Sequence, residues 1–321
     1  MSFPEISVII PVKNEALKIR ACIEGILHQT VPVKEIIVID SGSVDGTQDI
    51  VRSYKETVLV EIPSIEFNHG TTRNFGVSKA TGEFVLMTVG DARAYNEYWI
   101  EELLKGFTDD AVAGVCGQQV VPHEKDKNPV QWFRPISKPE IKRYQFQSPE
   151  AFEMLLPEEK MTICGWDDVT AMYRRSVLQQ IPFQKITYGE DPLWAKDALI
   201  NGYAIVYNHN ARVYHYHLEN EEFTFKRSLT TMYFRYKQFQ FVYKKPALSF
   251  RSKISMFKTI LLAIGFHPAD ILKWYKYNAG NFKAGLRAHT LFMQHLQQGE
   301  AMLDAAHEAY CGKAPVPQKT V

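Results

Sequence analysis

Two adjacent carboxylates, Glu190 and Asp191, follow a glycine and precede an amphipathic helical pattern. Neighbouring carboxyl groups raise one another's pKa, and a carboxylate with a raised pKa is an efficient proton acceptor near neutral pH. Acidic residues and a proline are also typical of the first turn of a helix, and we expect Pro192 at its first position. The pair therefore predicts a general base, a helix cap, or both, because the two roles are compatible.

Three polar segments each come directly after a short apolar run of strand type. Ligands of parallel α/β sheets lie outside the carboxyl ends of the strands, so we expect these segments to line one cleft. A single turn of this kind is more often a plain connection between a strand and a helix, and it is the combination that favours a shared site. The candidate residues in these segments are Pro11, Val12, Asn14, Glu15, Asp40, Ser41, Gly90 and Asp91.

Strand and helix patterns alternate along the first two thirds of the chain. Alternation of this kind predicts an α/β fold with a mainly parallel sheet that is covered by helices on both faces. Residues 122–157 are charged and interrupted by prolines, and we expect a loop with one short helix there. The predicted strands are 6–11, 35–39, 58–62, 83–88, 111–121, 169–173, 204–208 and 211–216, and the predicted helices are 15–29, 47–55, 71–80, 96–107 and 192–201.

The order of these segments resembles a family 2 glycosyltransferase with the GT-A fold. Within that family, Phe67-Asn68-His69-Gly70-Thr71-Thr72-Arg73-Asn74 is similar to the rhamnosyltransferase-like branch. The resemblance implies an inverting transfer of a sugar from a UDP-, dTDP- or GDP-linked donor to a hydroxyl of a glycan or lipid-linked acceptor. A dehydrogenase is disfavoured, because no Gly-x-Gly-x-x-Gly follows the first strand.

The resemblance also implies roles for the candidate residues. Residues 11–15 wrap the nucleotide, Asp40 contacts its base, and Arg73 lines the nucleotide side, although an exposed helix cation explains Arg73 equally well. Asp191 is the implied base, and Glu190 orients the acceptor. Trp166 and Asp168 fall where the family lines its acceptor pocket, and a plain turn is the alternative there.

A divalent cation, Mn²⁺ or Mg²⁺, is a further implication. The family has Asp-x-Asp after its fourth strand, whereas this chain has Val89-Gly90-Asp91, so Asp91 matches the second carboxylate and the first is missing. His215 and His217 lie on one face of a predicted strand and are the implied further ligands, and imidazole favours Mn²⁺. Packed strand histidines are the alternative, and a non-catalytic subunit that binds nucleotide-sugar is the alternative function.

The charge is distributed unevenly. Residues 1–222 carry 22 basic and 32 acidic groups (net −10), and residues 223–321 carry 15 and 4 (net +11). We therefore predict a glycosyltransferase domain over 1–222, with a donor half to 117 and an acceptor half from 118. A basic, aromatic helical extension follows over 223–311, and a disordered tail over 312–321.

Residues 223–269 contain no acidic residue, and nine lysines and arginines alternate there with aromatic residues. This pattern favours an anionic membrane surface. A helical bundle or a dimer contact is the alternative, and nucleic acid is disfavoured by the acidic first two thirds. Residues 260–266 are too few to span a bilayer.

The four cysteines and the N-terminus predict where the protein acts. No spacing among the cysteines suggests a zinc site or a disulfide framework, and no signal peptide is evident. Buried apolar thiols in a reducing environment are the expected state. The predicted location is the cytoplasm, on the inner face of the cell membrane if the basic extension binds lipid.

Overall fold

The computed structural model describes residues 3–124, 126–132, 138–247, 249–264 and 267–312. Contacts between residues divide the chain into unit 1, Met1–Val120 with Ser137–His215, and unit 2, Val121–Ile136 with Tyr216–Val321. The domain boundary predicted at 222 falls inside the first long helix of unit 2. Of the predicted disordered tail, residues 313–321 lie outside the described residues.

The described part of unit 1 contains a nine-stranded sheet in the order β3-β2-β1-β4-β8-β6-β9-β5, with β7 paired to β9. Six of the nine strands run in one direction, and β5, β7 and β8 run against them. The strands are β1 (Ile6–Val12), β2 (Glu35–Asp40), β3 (Thr57–Glu61), β4 (Phe84–Met87), β5 (Arg93–Ala94), β6 (Val112–Val120), β7 (Ile141–Tyr144), β8 (Ala171–Arg174) and β9 (Ala204–Tyr214).

Helices flank the sheet in unit 1, and unit 2 is helical. They are α1 (Ile19–Leu27), α2 (Thr47–Arg52), α3 (His69–Lys79), α4 (Trp99–Leu104), α5 (Pro129–Trp132), α6 (Pro149–Glu153), α7 (Pro157–Ile163), α8 (Arg175–Gln180), α9 (Glu190–Ile200), α10 (Glu221–Phe239), α11 (Phe250–Ile264), α12 (Pro268–Leu296) and α13 (Glu300–Cys311), with a 3₁₀ turn at Ser64–Glu66. The predicted α/β fold with a mainly parallel sheet and a helical C-terminal extension is confirmed.

The core of unit 1 lies on both faces of the sheet. Strand β1 is buried almost throughout, which explains its continuous apolar sequence, because a central parallel strand is covered on two sides. Helix α1 buries Ile19, Cys22, Ile23 and Ile26, which recur at helical spacing. All four cysteines are free and buried, as expected for small apolar side chains.

Three parts of the sheet differ from the sequence prediction, and one of them is the two-residue strand β5, which was not predicted. The strands expected at 204–208 and 211–216 are one strand, β9, which stays paired with β6 through a register shift between Cys116 and Gln118. The loop expected over 122–157 contains β7, an edge strand that is mostly exposed. Its sequence, Ile-Lys-Arg-Tyr, buries no alternate face, so it carries no period-two apolar signal.

Unit 2 packs α10, α12 and α13 around their own apolar cluster. Its buried members are Phe225, Leu229, Met232, Ala284, Ala288, Phe292, Leu303 and Cys311. Among the described residues, none of the helices combines the length and apolar character that a bilayer-spanning helix requires.

Candidate active site

The candidate residues of unit 1 meet at one edge of the sheet. Val12 and Asp40 end the paired strands β1 and β2. A Cβ atom on Gly90 would lie 2.9 Å from Val12 Cγ1, so only glycine fits where the segment after β4 crosses β1. Strand β8 runs against β4, which brings residues 166–170 to the same edge, and the Thr88 hydroxyl donates to the Val169 carbonyl at 2.9 Å.

The segments after β1 and β2 are held together by hydrogen bonds. Asn14 has a φ of +56°, in the left-handed region, where asparagine is tolerated better than most residues. Its backbone N–H donates to Ser43 Oγ at 2.8 Å, and its side-chain Oδ1 accepts from the Val44 N–H at 2.9 Å. The Glu15 N–H donates to Thr47 Oγ1 at 2.8 Å. The predicted nucleotide-binding segment therefore has a defined conformation.

Asp40 is fully buried and has one free acceptor. Its Oδ1 accepts from the Gly42 N–H at 2.9 Å, the Ser43 N–H at 2.8 Å and Gln48 Nε2 at 2.9 Å. Burial raises the pKa of Asp40, but these hydrogen bonds outweigh it and hold the pKa below its usual value. Its Oδ2 is buried and has no hydrogen-bond partner among the described residues. Asp40, the last residue of β2, thus keeps one ionised oxygen without a hydrogen bond in the described part of the chain, whereas the neighbouring Ser41 hydroxyl donates to the Val12 carbonyl at 3.2 Å.

Asp91 lies between two nitrogen atoms. Its Oδ1 is 3.3 Å from His215 Nε2, and its Oδ2 is 3.3 Å from Lys18 Nζ. His215 Nδ1 is 2.6 Å from Gln119 Oε1, and Gln119 Nε2 donates to the Asp167 carboxylate. A carboxylate only accepts, so the amide NH₂ of Gln119 faces Asp167 and its oxygen faces His215.

The proton of neutral His215 therefore resides on Nδ1. The Nε2 lone pair then faces a carboxylate oxygen of Asp91, and two acceptors at 3.3 Å need a proton or a cation between them. Metal-binding histidines commonly donate their other ring N–H to a fixed acceptor, as His215 does to Gln119. The donor set fits a divalent cation.

The two histidines do not lie on a strand, which corrects the sequence prediction. Strand β9 ends at Tyr214, and the His215 N–H makes the last bond to β6, at 3.1 Å from the Val120 carbonyl. Strand β6 ends at Val120, so β9 has no partner there to continue it, and the alternation of side chains expected for 211–216 does not extend to the histidines. His217 belongs to unit 2, and its role as a ligand stays a prediction.

Glu15 brings a second carboxyl group to the neighbourhood of Asp91. A Cβ atom on Gly90 would lie 3.2 Å from Glu15 Cγ, so the Glu15 side chain crosses the backbone just before Asp91. Burial and then the charge of Asp91 raise the pKa of Glu15 to about 7. An acidic group is therefore close to Asp91 even though Val89 occupies the first position of the Asp-x-Asp triplet.

Arg73 of α3 is 4% exposed and faces two carboxylates. Its Nη1 donates to Glu190 Oε1, and its Nε lies 3.1 Å from Asp168 Oδ2 without the alignment of a hydrogen bond, so this second attraction is between charges. Burial opposes the charged guanidinium, but Asp168 and Glu190 outweigh it and raise the pKa of Arg73. The arginine expected on the nucleotide side thus contacts residues expected on the acceptor side.

Helix α9 begins at Glu190, two residues before the predicted start at Pro192. Gly189 precedes it with a φ of +79°, a conformation that favours glycine. Pro192 is still in the first turn, where its missing N–H has no helical partner to lose. The turn points Asp191 toward β8, and Asp191 Oδ2 accepts from the Asp168 N–H at 3.4 Å.

The pKa values of the two adjacent carboxyl groups are shifted in opposite directions. Burial raises the pKa of Glu190, but Arg73 and then His69 outweigh it, so the net pKa lies below the usual value. Burial, followed by the charges of Glu190 and Asp168, raises the pKa of Asp191 well above its usual value. Asp191 nevertheless keeps part of its surface exposed. The pair therefore combines an ionised carboxylate, Glu190 beside Arg73, with a carboxyl group of raised pKa, Asp191.

The two predicted acceptor residues are buried in unit 1. Trp166 is 2% exposed, and its indole N–H donates to the Tyr173 hydroxyl at 2.6 Å. Tyr173 in turn donates to Asp168. Burial raises the pKa of Asp168 to about 6, and Arg73 opposes the rise. Trp194 is also buried, as expected for packing, with its ring centroid 5.7 Å from that of Trp166.

Sequence reasoning missed Gln119, Lys18 and Tyr173. Gln119 is the second-last residue of β6, so the rule that places ligands at carboxyl ends of strands could have found it. Lys18 and Tyr173 carry no such signal, because only the fold brings them to Asp91 and Asp168.

Comparisons with known proteins identify the family of the chain. The profile of glycosyl transferase family 2 matches residues 7–181. O-antigen chain rhamnosyltransferase RfbN of Salmonella typhimurium is 31% identical over 232 residues, 71% of this chain and 71% of the relative. O-antigen chain rhamnosyltransferase WbaN of Salmonella anatum is 30% identical over 234 residues, with the same coverage of both chains.

Two solved structures share the fold. The mannosyltransferase PcManGT of Pyrobaculum calidifontis, in complex with GDP-Man and Mn²⁺, has a TM-score of 0.55 at 20% identity, over 97% of this chain and 85% of that chain. S. aureus TarS 1-349, in complex with UDP-GlcNAc, has a TM-score of 0.53 at 16% identity, over 90% of this chain and 92% of that chain.

The sheet and its flanking helices have the GT-A fold. The chain belongs to glycosyl transferase family 2, with relatives in the rhamnosyltransferase branch.

Proposed function

We propose that the protein transfers a sugar, with inversion at the anomeric carbon, from a nucleotide-sugar to a hydroxyl of a glycan or lipid-linked acceptor. The observation that carries the mechanism is the partly exposed Asp191, whose pKa is raised by burial and by two neighbouring carboxylates. The oxygen of the acceptor forms the new bond to the anomeric carbon as the bond to the diphosphate breaks. Asp191 takes the hydroxyl proton, and the nucleoside diphosphate leaves with the bonding electron pair.

The fixed pair of Glu190 and Arg73 supports this assignment. Glu190 remains ionised beside the guanidinium, so its negative charge keeps Asp191 a better base than an isolated aspartate. Arg73 in turn positions Asp168, whose backbone N–H donates to Asp191. Arg73, Glu190 and Asp168 thus hold the proton acceptor Asp191 in place, with Glu190 and Asp168 as positioning residues.

The donor side is proposed at residues 11–15 and Asp40. The free Oδ2 of Asp40 is an acceptor suited to an N–H of a nucleotide base, and its buried setting strengthens such a bond. The sugar carried by the nucleotide is set by contacts that the motifs do not encode. The relatives are named as rhamnosyltransferases of an O-antigen chain, which supports a deoxyhexose donor and a polysaccharide acceptor.

Melting temperatures measured with UDP, dTDP and GDP, and then with the corresponding nucleotide-sugars, test the identity of the donor. We expect one nucleotide to raise the melting temperature, because a ligand of the native state stabilises it by mass action. Asp40→Asn places an amide N–H₂ where the base N–H donates, and we expect about tenfold or greater weakening of nucleotide binding in calorimetry.

Asp49→Asn is the matched control, since its carboxylate is 88% exposed on the nearby helix α2. If none of the three nucleotides stabilises the protein, the proposal of a nucleotide-sugar donor fails. If Asp40→Asn binds the stabilising nucleotide as tightly as the parent protein, the base contact is wrong.

A divalent cation, with Mn²⁺ preferred over Mg²⁺, is proposed at Asp91 and His215, with His217 as a further ligand. When bound, the ion would neutralise the diphosphate of the leaving group. The orientation of His215 Nε2 toward Asp91 supports this site, whereas the Lys18 ammonium on the other carboxylate oxygen competes with the ion for Asp91. Such a site would support donor binding despite Val89, and it is the proposed base Asp191 that disfavours the alternative of a subunit that binds donor without catalysis.

Gln119 is proposed to position His215 for the cation. Gln119→Leu removes the acceptor of the Nδ1 proton, and we expect the affinity for Mn²⁺ to fall about tenfold or more. The paramagnetic resonance signal of the free ion measures this affinity. The ¹⁵N spectrum of His215 should show Nδ1 protonated in the parent protein and a mixture of tautomers in Gln119→Leu.

Gln145→Leu is the control. The exposed Gln145 side-chain amide donates to the Gly202 carbonyl at 2.9 Å, and neither residue belongs to the proposed cation site. It should leave both readouts unchanged. A protonated Nε2 and bare Nδ1 in the parent protein, or unchanged Mn²⁺ affinity in Gln119→Leu, would show that Gln119 does not set the ligand.

A further inference from the structure

Helix α11 presents an exposed apolar face. Phe250, Ile254 and Phe257 are 77%, 52% and 46% exposed, and intervals of four and three residues place them on one side of the helix. Leu262, further around the helix, is 71% exposed. On the opposite side Ser252, Met256 and Thr259 are partly buried, and Ile260, between that side and the row, is fully buried. The helix is therefore packed into unit 2 by one face, and a row of large apolar side chains remains in solvent.

Three cations border this row. Arg251, Lys253 and Lys258 are exposed, and the helical repeat places Lys253 on one side of the apolar row and the other two on the opposite side. None of the three has an ion-pair partner in the described part of the chain, and residues 223–269 include no aspartate or glutamate. The face is thus both apolar and uniformly positive.

Helix α10 has a similar composition but a different environment. Lys237 of α10 forms ion pairs with Glu300 at 3.0 Å and with Asp304 at 2.9 Å. The Tyr233 ring stacks on His307 with centroids 4.1 Å apart. The helical bundle, which was the alternative to a membrane surface, therefore accounts for α10. It does not account for the outer face of α11.

We propose that this face of α11 docks on an anionic lipid surface, with the helix lying in the plane of the interface. Apolar side chains that enter the acyl boundary and flanking cations that reach lipid headgroups are the two contributions to such binding. A helix of 15 residues is too short to cross the bilayer. A second copy of the chain is a poor occupant, because two such faces would bring six cations together with no acidic group to pair them.

The inference goes beyond sugar transfer, because lipid binding is measured without donor or acceptor. Docking would place the transferase beside acceptors carried on lipid. Failure of the catalytic proposal would leave this surface unaffected, and the reverse also holds.

Co-sedimentation of the full chain with vesicles tests the proposal. We expect binding to vesicles of phosphatidylcholine mixed with phosphatidylglycerol, and little binding to phosphatidylcholine alone. The double variant Ile254→Ser/Phe257→Ser removes the apolar contact, and Arg251→Gln/Lys258→Gln removes two charges. Each should lower the affinity for the anionic vesicles about tenfold or more, and added salt should weaken binding of the parent protein.

Met154→Ser/Leu156→Ser is the matched control, since both side chains are exposed in unit 1. It should bind as the parent protein does, and unchanged circular dichroism would show that every variant is folded. Binding that survives both α11 variants, or no binding to the anionic vesicles, overturns the proposal. It is also overturned if the parent protein sediments as a dimer that Ile254→Ser/Phe257→Ser dissociates, because a second copy then covers the face.

Discussion

Asp191→Asn should lose about 10²–10⁴-fold or more in the rate of sugar transfer while the protein becomes more stable. The amide has no lone pair basic enough to take the acceptor proton. It keeps an oxygen for the Asp168 N–H, so the local geometry is preserved. Donor affinity should be unchanged, because Asp191 belongs to the acceptor side. The measurements are initial rates with nucleotide-sugar and acceptor, and donor binding by calorimetry.

The gain in stability follows from the sign of the pKa shift. The pKa of Asp191 is higher in the folded protein than in the unfolded chain, where it is about 4. The native state therefore retains a proton that the unfolded chain releases, and stability falls as pH rises from about 4 to the folded-state pKa. The amide of the Asp191→Asn variant does not titrate, so the difference in melting temperature between variant and parent should be small near pH 4 and larger at neutral pH.

Asp197→Asn is the control for this experiment. Asp197 lies on the same helix, burial raises its pKa as well, and its Oδ2 accepts from Gln184 Nε2 at 2.7 Å, away from the predicted site. It should retain activity. In the parent protein kcat/KM should increase with pH through the raised pKa of Asp191. Full turnover by Asp191→Asn, or the same pH dependence in that variant, would exclude Asp191 as the base.

The fold could be predicted from sequence wherever burial imposes an apolar pattern. Helix α1 has a helical period because it buries one face against the sheet, and strand β1 is a continuous apolar run because both of its faces are covered. Strand β7 has none, since it pairs through its backbone while its side chains stay in solvent. Helix α9 begins two residues before its predicted start, because a proline indicates the first turn of a helix but not which position of that turn it occupies.

The site was predictable in part for a related reason. Residues at strand ends, such as Asp40 and Asp91, occupy positions that topology alone brings together. The partner of Arg73 was not predictable, because it depends on where α3 meets the first turn of α9, over 100 residues later. A local sequence pattern does not distinguish a buried arginine from an exposed one. Which carboxylates it contacts is settled by packing.

Arg73 therefore distinguishes two functions that the sequence leaves open. If it binds the donor phosphate, Arg73→Lys should raise the KM for donor and leave the protein stable. If it holds Glu190 and Asp168, as its contacts indicate, Arg73→Leu leaves two buried carboxylates without a cation and should lower the free energy of unfolding by about 3–5 kcal/mol. Denaturant unfolding measures this difference.

Arg52→Leu is the matched control, because Arg52 also contacts two carboxylates, Asp49 and Glu61, but in solvent. Exposed pairs contribute about 0–1 kcal/mol, so its loss should be small. Arg73→Lys keeps the charge but not the fork that reaches both carboxylates, and we expect an intermediate loss of stability with a lower kcat. A stable Arg73→Leu protein whose only defect is a higher donor KM would instead assign Arg73 to the diphosphate. The cluster of Glu190, Asp168 and Asp191 would then need another source of positive charge to keep Glu190 ionised.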